Sequence, residues 1–288
     1  MDERVALVTG CSSGIGEATA IAFVRAGYRV YAGVRQIGAM GPLAARAESD
    51  LLRPIQIDVT DRTQISAAVR AVLGEAGQVD VLVNNAGYAL VGAMEDLDDA
   101  ALARQFETNL FGLLALTQEV VPSMRHRRSG VVINVSSLAG RVSVPLMGAY
   151  CATKFALEAV TMALRLELRP WNVYASLVEP GPVRTRFEDA ALEISRDILE
   201  NPASPYADAY RLTRSYFADP MHSAASPAQV ARTILRAASA RRPRVRYTVR
   251  WRDALVAVFS RLAYTRLGEP ALMRVMGLDG IRVSPPHA

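Results

Sequence analysis

Apolar runs rich in Val, Ile and Tyr alternate along the chain with segments whose apolar positions recur every three to four residues. The first kind predicts buried strands and the second amphipathic helices; their alternation predicts βαβ units closing into a parallel sheet. Strands are expected at Val5–Thr9, Tyr28–Gly33, Arg53–Ile57, Val79–Val83, Val131–Val135 and Val173–Val178, with a short one at Arg244–Val249. Helices are expected after Gly14, near Gly41–Asp50, from Asp61 to Ala76, and over Asp98–Arg125, Gly148–Arg169 and Ala228–Ala240. The fold class this predicts is α/β: a doubly wound, Rossmann-type parallel sheet of about seven strands with helices on both faces.

From Arg184 onward the period breaks down. Asn201-Pro202, Ser204-Pro205, Asp219-Pro220 and Ser226-Pro227 interrupt it, predicting a lid over residues 184–226 that is too irregular to make a packed element. A mobile lid closing over an apolar site is expected there. Beyond residue 250 the chain is amphipathic and arginine-rich to its end at 288.

Composition narrows the classes. A chain of 288 residues, 51% apolar and 21% charged, fits one large domain over 1–288 and excludes a disordered polypeptide. Met1-Asp2-Glu3-Arg4 leads straight into a strand and is no signal peptide, and no apolar run is long enough to span a membrane. Cys11 and Cys151 form no CxxC, so a reducing, cytoplasmic location is expected. His126, His222 and His287 are too scattered for a metal site, and none is expected. The basic stretch from Arg241 to Arg246, with Arg250 and Arg252, reads as a solvated rim or subunit contact, with weak peripheral membrane contact as the alternative. It lacks interleaved aromatic residues, so no nucleic-acid partner is expected.

One position concentrates the chemistry. Thirty-two of the 33 basic residues are arginine; the single lysine, Lys154, follows Tyr150 by four residues. With ten tyrosines in 288 residues, chance would place a lysine so about 3% of the time. A compact ammonium can stand beside a phenol and reach a diol, which a guanidinium fork cannot do. Thr9-Gly10-Cys11-Ser12-Ser13-Gly14-Ile15-Gly16 lies between a strand and a helix, where glycines allow close approach to a pyrophosphate and the helix N-terminus offers it N–H groups. At the end of the second strand an NAD-specific site would carry an acid; here stand Gly33-Val34-Arg35. Arg35, with the Ser12 hydroxyl, suits a 2′-phosphate, so NADP(H) is expected over NAD. Asn84-Asn85-Ala86-Gly87, Ser136-Ser137 and Pro180-Gly181-Pro182 then punctuate three further strand ends, the edge where such sheets bind ligands.

Taken together, TGxxxGIG, NNAG, a serine thirteen residues before YxxxK, and PG-P-V-x-T resemble the short-chain dehydrogenase/reductase family over about residues 3 to 250. Tyr150-Cys151-Ala152-Thr153-Lys154-Phe155-Ala156-Leu157-Glu158 and Glu179-Pro180-Gly181-Pro182-Val183 are most similar to its 17β-hydroxysteroid and retinol dehydrogenase branch. The resemblance implies a catalytic tetrad of Asn109, Ser137, Tyr150 and Lys154. Ser137 would bind the substrate oxygen, Tyr150 would exchange its proton, Lys154 would hold the nicotinamide ribose and lower the phenol pKa, and Asn109 would line up a water. Lowering a phenol from about 10 to about 7 requires roughly 4 kcal/mol. Cofactor contacts implied are Gly10, Ser12, Ser13, Gly14, Ile15, Gly16, Arg35, Asp58, Val59, Asn85, Ala86, Gly87, Pro180, Gly181, Val183 and Thr185, besides Tyr150 and Lys154. A homodimer or homotetramer is implied as well.

Leu192, Ile194, Tyr206, Tyr210, Tyr216, Phe217 and Met221 in the lid favour a lipophilic alcohol or ketone, hydroxysteroid- or retinoid-like. Reduction of small ketones, aldehydes or oxoacyl thioesters is the alternative. A non-catalytic NADP sensor need not keep Ser137, Tyr150 and Lys154, and an epimerase would carry a larger C-terminal domain.

Overall fold

The computed structural model describes residues 3–40, 43, 49–218, 224–259, 264–266, 268–275 and 278. Seven strands form one sheet in the order β3-β2-β1-β4-β5-β6-β7: β1 Val5–Thr9, β2 Arg29–Val34, β3 Leu52–Gln56, β4 Val81–Asn84, β5 Gly130–Val135, β6 Val173–Glu179 and β7 Arg246–Thr248. Every pairing is parallel. The inner strands β1, β4 and β6 are buried along their whole length, because helices cover both faces. Pro54 sits on β3, the edge strand, where a missing N–H is tolerated.

Helices α1 (Gly14–Arg25) and α9 (Pro227–Ser239) cover one face, packing Phe23, Val230 and Ile234 against Val8, Val30 and Ile133. Helices α2 (Arg62–Ala76) and α4 (Gly112–Arg127) cover the other, with Val69 and Leu116 against Leu7, Tyr31 and Val132. The strand order reverses between β1 and β4, so a crevice opens at their carboxyl ends.

Three expectations require correction. The helix expected over Asp98–Arg125 is two: α3 (Asp99–Phe106) and α4, joined by a π-turn at Glu107–Phe111. The loop after β3 crosses at that point, and a Cβ added to Gly112 would come within 2.1 Å of the Val59 carbonyl. One inserted residue in a helix leaves the hydrophobic period almost unchanged, which hides it from pattern reading.

The lid is the second correction, because it does pack: α6 (Phe187–Ile194), α7 (Arg196–Leu199) and α8 (Ala207–Ala218) fill most of it. Pro202 and Pro205 fall between α7 and α8 and punctuate helices instead of preventing them. Third, the last strand is shorter than expected, Arg246–Thr248. The helix expected near Gly41–Asp50 lies mostly outside the described residues, as do Met221, His222 and much of the tail. Within the tail, helices α10 (Trp251–Phe259) and α11 (Glu269–Val275) are described.

Candidate active site

The glycine loop joins β1 to α1. Gly10 has φ +69°, a left-handed conformation that a side chain would strain, and a Cβ on Gly16 would come within 2.2 Å of the Gly10 carbonyl. Thr9 Oγ1 accepts the backbone N–H groups of Asn85 (3.0 Å) and Ala86 (3.1 Å), tying the loop to the end of β4. Asn85 Nδ2 donates to the Thr9 carbonyl at 2.9 Å, so this side chain buttresses the loop. Ser13 precedes α1 with extended backbone and no side-chain cap, leaving the first-turn N–H groups directed to the crevice. Cys11 N donates to the Gly33 carbonyl at 3.0 Å, tying the loop to β2; Ser12, which follows Cys11, and Arg35, which follows β2, are both exposed.

The other expected contacts lie along the same sheet edge. Asp58 follows β3, and its Oδ1 accepts from Thr60 N and Oγ1. Val59 is buried, and Gly87 approaches the Asn109 amide. Pro180 accepts a hydrogen bond from Leu138 N at 3.0 Å, and Val183 pairs with Ala225. Thr185 reaches back to the glycine loop, where a Cβ on Gly14 would meet its Cγ2 at 3.1 Å.

Helix α5 (Gly148–Leu168) carries Tyr150 and Lys154 one turn apart on its buried face. The Ser137 side chain, which follows β5 and Ser136, lies close enough to the Tyr150 phenol to favour its ionised form. Lys154 Nζ donates to the Val135 carbonyl at 2.9 Å and stands 5.7 Å from the Tyr150 ring centroid. Asn109, in the π-turn, is closed on its neighbours: Nδ2 donates to the Tyr88 carbonyl (2.8 Å) and Thr153 Oγ1 (3.3 Å), while Oδ1 accepts from Tyr88 N (3.1 Å). Thr153 Oγ1 donates to the Tyr150 carbonyl at 2.7 Å, so Asn109 is linked through Thr153 to the backbone of Tyr150. Both amide hydrogens of Asn109 are thereby engaged, and its side chain positions the Tyr88 loop.

In the protein alone, burial pushes Tyr150 up to about 12, opposed by the Ser137 side chain. Burial pulls Lys154 down to about 8, opposed by the charge of Glu158. The ammonium is directed at a backbone carbonyl and sits some way from the ring, so the protein groups alone do not favour tyrosinate.

Pattern reading missed the lid's attachment. Phe187, the first residue of α6, packs against the Tyr150 ring with centroids 5.8 Å apart and planes inclined at 60°. Tyr150 joins Val91, Leu146, Ala191, Leu199 and Tyr210 in one apolar cluster that spans the lid and the body of the sheet. Polar pins fix it: Val91 N donates to Ser195 Oγ at 2.8 Å, Ala93 N donates to the Tyr210 hydroxyl at 3.0 Å, and that hydroxyl donates to Asp96. Nothing in the local sequence marks Ser195 or Tyr210 as pins, since their partners lie 104 and 117 residues away.

Comparison with known proteins agrees with this arrangement. Residues 4–194 match the family model for short chain dehydrogenases. Bovine (Bos taurus) retinol dehydrogenase 8 is 38% identical over 258 residues, covering 84% of this chain and 80% of that protein. Human (Homo sapiens) 17-beta-hydroxysteroid dehydrogenase type 1 is 36% identical, covering 86% and 77%. A short-chain dehydrogenase from Streptomyces avermitilis superposes with a TM-score of 0.79 at 33% identity, covering 98% of this chain and all of that one. Of two further solved relatives, a metagenomic short-chain oxidoreductase is in complex with NADP (TM-score 0.68, 27% identity, 85% and 96% coverage). The other, from Burkholderia phymatum, is in complex with NAD (TM-score 0.77, 25% identity, 100% and 98% coverage). With that sheet, that crevice and these matches, the chain belongs to the short-chain dehydrogenase/reductase family of oxidoreductases, which act on alcohol or keto groups.

Proposed function

We propose that this chain is an NADP(H)-dependent oxidoreductase that interconverts a secondary or lipophilic alcohol and its ketone, with Tyr150 as general acid/base. The observation that carries the reading is the position of the buried Tyr150 phenol, beside the Ser137 side chain and walled by the apolar lid cluster with Phe187. Two neighbouring hydroxyls fit a carbonyl or carbinol oxygen, and an apolar wall fits a hydrocarbon body. The two curated relatives, named for retinol and a 17β-hydroxysteroid, agree with a lipophilic substrate.

The loop fits a dinucleotide: Gly10 and Gly16 leave a cradle that a Cβ would fill, and the α1 N-terminus offers N–H groups to a pyrophosphate. Gly10, Ser13, Gly14, Ile15 and Gly16 would hold the pyrophosphate, Ser12 and Arg35 the 2′-phosphate, Asp58 and Val59 the adenine, Asn85, Ala86 and Gly87 the adjoining ribose, and Pro180, Gly181, Val183 and Thr185 the carboxamide. When bound, the nicotinamide supplies or accepts hydride, and in its oxidised form brings a positive charge near the phenol. Ser137 holds the substrate oxygen by hydrogen bond. Tyr150 gives that oxygen its proton during reduction and takes it back during oxidation. Lys154 Nζ is held by the Val135 carbonyl, 5.7 Å from the Tyr150 ring centroid, and would support the phenolate together with the oxidised nicotinamide. Asn109 fixes the Tyr88 loop beneath the site, and the lid excludes water.

Paired titration of wild type and Arg35→Asp with NADPH and NADH tests the cofactor assignment. A charge-assisted hydrogen bond contributes about 1.5–3 kcal/mol, or roughly a 10- to 150-fold preference for NADPH. The wild type should show that preference and the variant should lose it. Equal wild-type affinities, or a ratio unmoved by the substitution, would refute the assignment.

A further inference from the structure

Below the Lys154 side chain lies a group of charges that the reaction scheme leaves unused. Glu158 is one turn further along α5, and Glu179 is the last residue of β6; both carboxylates are buried, at 8% and 2% side-chain exposure. They meet at one guanidinium: Arg246 Nε, at the start of β7, lies 2.9 Å from Glu158 Oε2 and 3.1 Å from Glu179 Oε1. Arg141, which follows the 3-10 turn Leu138–Gly140, stands 3.5 Å from Glu179 Oε1. Arg246 also donates to Met162 Sδ. Lys154, Arg141 and Arg246 are thus the cations facing the two carboxylates among the described residues.

The hydrogen bonds in this group do not close. The Arg246 Nε–H goes to Glu158 Oε2. Glu158 Oε1, Glu179 Oε1 and Ser136 Oγ are all buried without a hydrogen-bond partner. Ser136 Oγ and Glu158 converge at Gly140, where an added Cβ would lie 3.0 Å from Ser136 Oγ and 3.2 Å from Glu158 Cγ. Two carboxylates offer only acceptors, and a buried acceptor without a donor is costly. A proton on one of them turns an acceptor into a donor and removes the repulsion between like charges. Burial, and then the charge of Glu158, indeed hold the Glu179 carboxyl well above the usual carboxylate range, against Arg141 and Arg246.

We propose that Glu158 and Glu179 hold one proton between them, and that the charge remaining on Glu158 keeps the Lys154 ammonium protonated one helical turn away, making Glu158 a positioning residue for the proton chemistry at Tyr150. The catalytic part of this inference rests on the proposed roles of Tyr150 and Lys154; the coupling between Glu158 and Lys154 does not. As pH falls, the pair takes up one proton from water and the negative charge beside Lys154 diminishes.

Because Lys154 is the only lysine in the chain, protein labelled with 13C,15N-lysine gives a single side-chain signal that reports its protonation directly. In the wild type that signal should titrate with a midpoint of about 8, preceded by a smaller inflection at lower pH as the carboxylate pair protonates. Glu179→Gln should abolish the smaller inflection. Glu158→Gln should lower the Lys154 midpoint by about one unit or more, the effect of losing an opposite charge nearby. The turnover deficit of Glu158→Gln relative to wild type should then widen at least about tenfold from acid to alkaline pH, as one unit implies. A single-step wild-type curve overturns the shared proton, and that measurement needs no variant to fold. An unmoved midpoint in Glu158→Gln, or a deficit of the same size at every pH, overturns the positioning role. If the Lys154 midpoint shifts as expected while Tyr150→Phe retains turnover, the coupling stands and the catalytic reading of Tyr150 falls.

Discussion

Replacing Lys154 by methionine removes the ammonium while keeping most of the apolar stem, and its effect on stability should depend on pH in a way set by burial. In the folded protein, burial lowers Lys154 from the ordinary 10.5 to about 8. That difference, 10.5 minus 8, is 2.5 units, which at about 1.4 kcal/mol per unit corresponds to about 3 kcal/mol as an order of magnitude. Below pH 8 the fold carries this penalty in full, because both states are protonated and only the folded one buries the charge. Between pH 8 and 10.5 the folded lysine is neutral while the unfolded one still binds its proton, so wild-type stability rises with pH across that window. The methionine variant has no such gain. It does leave the Val135 carbonyl without its donor, at about 1–3 kcal/mol, and that loss does not depend on pH. The advantage of variant over wild type should therefore fall by about 3 kcal/mol from pH 8 to 10.5. Urea unfolding of both proteins at a series of pH values measures it, with titration of the other groups cancelling in the difference. A difference that stays flat across the window would refute the claim that Lys154 is buried at energetic cost.

Two further outcomes follow from the same geometry. Lys154→Arg should lose most turnover although arginine supplies every other basic side chain, because its fork cannot keep both the Val135 carbonyl and the place beside Tyr150; wild-type kcat would refute this. Tyr210→Phe leaves the buried Ala93 N–H without an acceptor and removes one of the two hydroxyls that donate to Asp96, the other being Ser204, at about 1–3 kcal/mol. It should raise KM for bulky substrates and speed tryptic cleavage at Arg211 and Arg214, and unchanged proteolysis would show that the pin does not hold the lid.

The sheet was legible from sequence because each inner strand is buried on both faces and reads as an unbroken apolar run: Val5–Thr9 is an example. The glycine loop and the Tyr150–Lys154 pair were legible because local spacing places them; Gly10 needs its left-handed φ for the turn, and Gly16 meets the Gly10 carbonyl six residues away. What stayed hidden is non-local. The π-turn at Asn109 responds to a carbonyl at Val59, and the lid's helices are stabilised by Val91, Ala93 and Asp96, about a hundred residues upstream. Arg246 was one arginine in a basic run until β7 set it against Glu158 and Glu179. Burial at Tyr150 was hidden too: spacing brings the lysine near the ring, but it does not report the burial that raises the phenol in the protein alone.

The central claim is that Tyr150 moves the proton. Its most direct test is the steady-state rate of NADPH oxidation with a lipophilic ketone, selected from a panel of steroids, retinoids, aliphatic ketones and oxoacyl thioesters, for wild type and Tyr150→Phe. NADPH binding is measured alongside for both proteins. The account predicts that the variant binds NADPH within a few-fold of wild type and turns over at less than about a tenth of its rate, a barrier increase above about 1.4 kcal/mol. A variant that binds NADPH equally well and keeps more than that rate would contradict the assignment.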